Sequence, residues 1–244
     1  YNFVDNGPVT WAEGAGKNID SGHGTHCAGT IAAVNNNGVG VSGVAGGTGN
    51  SDGVKIMSCQ IFSRNSGGSS IQTARAYKYA ADNGASVISC SFGYNAGVIK
   101  SDGTYKRECL AEYDALKYFE ATKNNPVLDG GVAIFAAGND ATNYSAYPGA
   151  LSDVISVSSF GPDYLPAYYT NYGPGCNIAA PGGEAYLNPW TSMKGMVLST
   201  LPSELNDGSD YGYMQGTSMA CPHVSGIAAL GLSYACLLYT SDAA

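Results

Sequence analysis

The chain has 244 residues, of which 44% are hydrophobic and 12% charged, and a formal net charge of −8. A chain of this size can bury one sizeable core, while the acidic balance excludes the basic footprint that a nucleic acid or an anionic membrane surface needs. The 34 glycines indicate tight turns and close backbone approaches, and no apolar run reaches the roughly eighteen residues of a membrane span.

Along the chain the pattern predicts a short helix over His23–Ala33, a strand over Val54–Phe62, a helix over Ser70–Asn83 and a strand over Ala85–Phe92. A helix over Lys106–Lys123 follows, then strands over Val132–Ala137 and Val154–Ser158, and finally a buried, small-residue helix over Met219–Ala235. Nearly continuous apolar strands separated by helices predict an α/β fold, with a mostly parallel central sheet covered by helices on both faces in three layers. The connection from Tyr94 to Gly131 is long, and its amphipathic segment Arg107–Phe119 reads as a surface helix preceded by a loop, with the rim of a cleft as the second reading of the connection. Of the seven cysteines, Cys27, Cys59, Cys90 and Cys221 lie in apolar or small-residue surroundings, Cys109 in a polar helix and Cys236 in the tail, without metal-ligand spacing, so most read as packed thiols.

The stretch Gly216-Thr217-Ser218-Met219-Ala220-Cys221-Pro222-His223-Val224-Ser225-Gly226 carries the most chemistry. Proline fixes φ and lacks an N–H, so Pro222 is expected in the opening turn of a helix that starts near Ser218. Ser218 then stands at the positive end of the helix dipole, where a developing oxyanion is stabilised. A serine that merely caps the helix fits the same stretch. Upstream, Gly22-His23-Gly24-Thr25-His26-Cys27-Ala28-Gly29-Thr30 offers a base and Ala136-Ala137-Gly138-Asn139 an amide donor, the two further parts that acyl transfer by serine requires. Chemistry alone does not choose among His23, His26 and His223 as the base.

These three segments, in this order, resemble the subtilisin-like serine proteases (subtilases), and the resemblance runs from about residue 18 to residue 235. It implies His23 as general base, Ser218 as nucleophile, and Asn139 beside the Ser218 backbone N–H in an oxyanion hole. His26 and His223 are then packed core residues. It also implies an extended peptide or protein substrate held between two edges, Gly67-Gly68-Ser69 and Ser91-Phe92-Gly93, as an added strand. Ser91, Phe92, Gly93, Ala136, Ala137 and Gly138 would line the primary pocket, with Ser158 at its floor. With no acid placed there, an apolar preference is expected.

The family resemblance further implies a calcium loop over 34–41, with the Asn37 side chain and the carbonyls of Val34, Val39 and Val41 as oxygen ligands to a structural calcium; no cofactor is implied for catalysis. The family's catalytic aspartate lies on an apolar strand ending in Asp-Ser/Thr-Gly, a motif absent from this chain. Asp5 and Asp20 read as solvated loop acids, so the acid is expected upstream of residue 1, along with a possible prodomain. Residues 1–235 are expected to form one peptidase domain and 236–244 an adapter-derived, non-native tail. No signal region is visible, and the family resemblance implies secretion or the cell envelope. Two other classes fit parts of the pattern: a non-catalytic peptide-binding relative, and a zinc hydrolase built on His23 and His26, although the helical i,i+4 spacing and the glutamate of such sites are missing.

Overall fold

The computed structural model describes residues 1–9, 22–62, 68–186 and 192–241. Its elements run α1 (His23–Ala32), α2 (Ser70–Asp82), β1 (Val87–Cys90), α3 (Asp102–Glu108), α4 (Leu110–Ala121), β2 (Val132–Ala136), β3 (Ile155–Phe160), β4 (Ile178–Pro181), β5 (Val197–Thr200), β6 (Tyr211–Met214) and α5 (Thr217–Ser241), with short 3-10 turns at Ser192–Gly195 and Ser203–Leu205. Strands β1 to β4 form one sheet in sequential order, parallel throughout. Strands β5 and β6 form a separate antiparallel pair.

The period-two alternation of a strand sorts β2 between two cores. Ala133 and Phe135 face a cluster with Tyr77, Tyr105, Leu116 and Phe119, contributed by α2, α3 and α4. Ile134 and Ala136 face Val157, Ala220, Cys221 and Val224 on the other side, where α5 packs. Ile134 and Phe135 are both fully buried, which is why β2 reads as an unbroken apolar run. The three-layer α/β expectation therefore holds, and β2 delivers its C-terminal end, Ala136 to Asn139, to the edge where α5 begins.

Five expectations are corrected. Val54–Phe62 is not a strand: it pairs only through an isolated bridge between Asn2 and Gln60, so its apolar residues lack a ladder on either side. The helix expected over Lys106–Lys123 is two helices, broken at Cys109, whose φ of −120° and ψ of 39° leave the helical region. Pro222 lies inside α5, which starts at Thr217, rather than in its first turn. That helix continues as one element to Ser241, and it is not buried throughout. Ile227, Leu230, Tyr234 and Leu237 are 60%, 48%, 65% and 65% exposed, because only its first turns pack on the sheet and α1. By length and composition Thr217–Leu237 could cross a membrane: an uncharged run of alanine, glycine and leucine passes that test, contrary to the expectation of no such run.

Candidate active site

The serine segment is built around a missing hydrogen bond. In a regular helix the N–H of residue 222 would bond the carbonyl of Ser218 four residues back, but Pro222 has no N–H to give. The freed Ser218 carbonyl instead accepts the Ser91 hydroxyl at 2.8 Å and the Cys27 thiol at 3.3 Å. One proline thus opens a backbone acceptor that ties α5 to the end of β1 and to α1. The Ser218 hydroxyl donates in turn to the Ser91 carbonyl at 3.2 Å.

The first N–H groups of a helix have no partner within it. In α5 the Thr217 N–H donates to Asn139 Oδ1 at 2.9 Å and the Met219 N–H to the Gly216 carbonyl at 2.9 Å. No described residue accepts from the Ser218 N–H between them. The Thr217 hydroxyl, fully buried, also donates to Asn139 Oδ1 at 2.9 Å. Two donors on its oxygen fix the orientation of the Asn139 amide and turn Nδ2 away from Thr217. A carbon added as a side chain on Gly216 would stand 3.6 Å from both Asn139 Nδ2 and Ser218 N and 3.7 Å from Asn139 Oδ1, so the Asn139 amide and the Ser218 N–H come close together at the N-terminus of α5. Gly138, at φ +103°, turns the chain into this position, and a Cβ there would stand 2.4 Å from Asn171 Nδ2.

His23 is the first residue of α1, after Gly22 in the left-handed region at φ 66°. Residues four apart share a helix face, so His23 lies on the face that carries Cys27 to Ser218. His23 is half-buried, and desolvation lowers its pKa from 6.5. The other two histidines sit against backbone carbonyls, and only His26 is fully buried, His223 being half-buried. His26 is fully buried, with Nε2 3.1 Å from the Val197 carbonyl and 3.2 Å from that of Gly212. His223 Nδ1 sits 2.8 Å from the Met219 carbonyl. Cys27 is no ready nucleophile, since burial pushes its thiol up to about 12.

Burial lowers the pKa of all three histidines below 6.5. The unfolded chain therefore binds more protons below that pH, and the stability present above about 6.5 is lost as pH falls toward the depressed native values. Urea midpoints should drop between pH 7.5 and 5.5, and His26→Gln should flatten the decline. Glu112 and Glu120, whose pKa values burial raises, act in the opposite sense, so the contradicting result is a pH dependence that His26→Gln leaves unchanged.

A cleft of about 180 Å³ opens beside Ser218. Of the residues expected to bind substrate, Phe92, Gly93, Ala136 and Gly138 line it together with Asn139 and Ser218. Ala137 is instead fully buried, Ser158 donates to the Ile178 carbonyl at 3.2 Å, and Ser91 acts on the Ser218 carbonyl. Ser69 is the N-cap of α2, exchanging hydrogen bonds with Gln72 in a capping box, and Gly68 packs by the Ile61 carbonyl. Gly67 and Asp20 lie outside the described residues. The cleft also takes in Tyr94 and Asn95, from the connection whose second reading is a cleft rim, and Asp140, Ala146 and Thr217, which are not among the expected substrate-binding residues. Asp140 corrects the expectation of a pocket without acid: its carboxylate accepts from the Ala96 N–H and from Asn171 Nδ2, each at 3.3 Å.

In the loop expected to hold calcium, Asn37 Oδ1 accepts from the Val39 N–H at 2.9 Å, closing a short turn, while Val34 and Val39 are exposed. The four named oxygens fall short of the six to eight that calcium takes. No group of three or more His, Cys, Asp or Glu side chains able to hold a metal exists among the described residues. His26 Nε2 lies against two carbonyls, while its buried Nδ1 has no partner among the described residues.

Residues 2–240 match the model of the subtilase family of peptidases. The chain is 32% identical over 230 residues to thermitase of Thermoactinomyces vulgaris, across 94% of this chain and 65% of thermitase. It is 32% identical over 229 residues to an extracellular basic protease of Dichelobacter nodosus, across 90% of this chain and 32% of that protein. A crystal structure of a cold-adapted subtilisin-like serine proteinase superposes with a TM-score of 0.64 at 26% identity, covering 96% of this chain and 67% of the other. The chain thus spans about two thirds of thermitase and a third of the extracellular protease.

Proposed function

The chain belongs to the subtilase family, and on that premise we propose that it carries the base, nucleophile and oxyanion hole of a serine endopeptidase acting through an acyl-enzyme on Ser218. The observation that supports the reading is the closeness of Ser218 N and Asn139 Nδ2, each 3.6 Å from the point where a Gly216 side chain would begin. Attack requires the Ser218 hydroxyl to turn from the Ser91 carbonyl toward His23, which takes its proton as Oγ bonds to the peptide carbonyl carbon. The carbonyl oxygen becomes an anion held by the two N–H groups. His23 then gives the proton to the departing amine, and water releases the acyl group by the same steps in reverse. The acyl transfer itself calls on no cofactor.

The substrate class in this proposal is a peptide or protein. Phe92, Ala136 and Ala146 suit an apolar side chain, and a long stem ending in a cation would reach Asp140. By likeness to the extracellular relative, the protein is proposed to be secreted. A peptide anilide should be cleaved with a burst of the first product, and a fluorophosphonate should abolish cleavage while a zinc chelator leaves it intact. Cleavage that stops with the chelator and survives the fluorophosphonate would overturn the reading.

A structural calcium at the 34–41 loop belongs to the same proposal, with ligands beyond the four named oxygens. Since a ligand that binds only the folded state raises stability by mass action, calcium should raise the thermal midpoint and Asn37→Ala should blunt the rise. A midpoint indifferent to calcium leaves the segment a plain turn.

A further inference from the structure

Beneath the cleft lies a buried carboxyl that the acyl-transfer chemistry does not use. Glu112, on α4, is 2% exposed. Burying a carboxyl is costly unless it is hydrogen-bonded, and here Glu112 Oε2 accepts the Tyr94 hydroxyl at 3.0 Å. The Cys109 thiol, at the break between α3 and α4, donates to the same Tyr94 oxygen at 3.3 Å. Tyr94 is half-buried and lines the cleft with Gly93 and Asn139. Its hydroxyl is anchored in the interior, and its N–H donates to the Tyr147 carbonyl at 2.8 Å. The ring meets Tyr105 edge-on at 6.3 Å, and Tyr105 stacks on Tyr147 at 5.7 Å. Tyr105 and Tyr77 bring buried hydroxyls without well-formed partners to the same neighbourhood.

We propose that Glu112 is a positioning residue for substrate selection: through its hydrogen bond it holds the Tyr94 ring as a fixed wall of the cleft, so that the cleft favours a large apolar side chain over a small one. The inference rests on the cleft being the substrate pocket of the proposed peptidase. It also gives the long 94–131 connection a role, since α3 and α4 supply Tyr105, Cys109 and Glu112 as the support of that wall. A wall released from its anchor spends part of its time out of position, and a substrate that packs against it must restore the order on binding.

The test uses two peptides that differ only in carrying Phe or Ala at the residue entering the cleft. Binding is measured by calorimetry in a Ser218→Ala background, and KM and kcat in the wild-type background. Removing the hydrogen bond with Glu112→Leu or Tyr94→Phe should weaken the Phe peptide about three- to tenfold, the scale of one hydrogen bond, and change the Ala peptide little, with the effect in KM rather than kcat. Glu112→Gln, whose amide oxygen still accepts from Tyr94, should restore the preference. Tyr94→Phe removes a single oxygen and serves if Glu112→Leu fails to fold. Equal weakening of both peptides, an unchanged ratio, or no recovery in Glu112→Gln would overturn the proposal. The binding arm reads the wall even where Ser218 proves not to be the nucleophile, so failure of the peptidase reading and failure of this inference are separable.

Discussion

His23→Ala and Ser218→Ala should each lower kcat by about 10⁶, and the double variant should lose little more than either alone. The magnitude is the loss known for the equivalent changes in subtilisin, a family member, and is carried over to this chain. Its physical basis is that nucleophile and base act as a unit: an unactivated hydroxyl is a poor nucleophile, and a base with no hydroxyl to deprotonate does nothing. The remaining activity, about 10³ to 10⁴ above water, would belong to the oxyanion hole and to binding. Steady-state kinetics on the two single variants and the double variant would measure this. Losses that multiply in the double variant, or a single variant within tenfold of wild type, would mean that the two residues do not work together.

Asn139→Ala should lower kcat by about 10² to 10³ and leave KM nearly unchanged, because the amide donor meets a charge that exists only in the transition state. This figure, too, comes from the corresponding asparagine of subtilisin. The structure adds a second expectation. Thr217 holds the amide by its N–H and its hydroxyl, both at 2.9 Å from Asn139 Oδ1, so Thr217→Val should cost part of the same loss by freeing the amide to rotate. A rise in KM with constant kcat in Asn139→Ala would show that the amide contacts substrate rather than the oxyanion.

The parts of the site legible in the sequence are those in which one residue type does something that no other can. Asn139 follows a glycine with φ +103°, and Ser218 stands two residues after Gly216, which has φ +147°. Pro222 was legible as a helix signal, but its position was misread. What it does depends on the i−4 carbonyl, which pattern reading takes as satisfied, and only the fold brings Ser91 and Cys27 to that carbonyl. Ser69 carries a local signal of its own. Serine three residues before Gln72 is a capping-box spacing, and the structure uses it as a cap.

Other elements left weak local signals. Strands β4, β5 and β6 have four residues each, too few for periodicity to declare itself, and β4 ends in Pro181, which only an edge or a strand end tolerates. The break at Cys109 carries no glycine or proline, so a continuous helix was the natural reading. Tyr94 and Glu112 meet across 18 residues. Nothing in the intervening sequence marks the pair, because their contact is made by the packing of α4 against the sheet.

The central claim is that Ser218 is the nucleophile. Mass spectrometry of the protein after reaction with a fluorophosphonate tests it most directly: the account predicts one phosphonyl adduct on the peptide containing Ser218 and none on the Ser218→Ala variant. An adduct on another residue, or equal labelling of the variant, would contradict it.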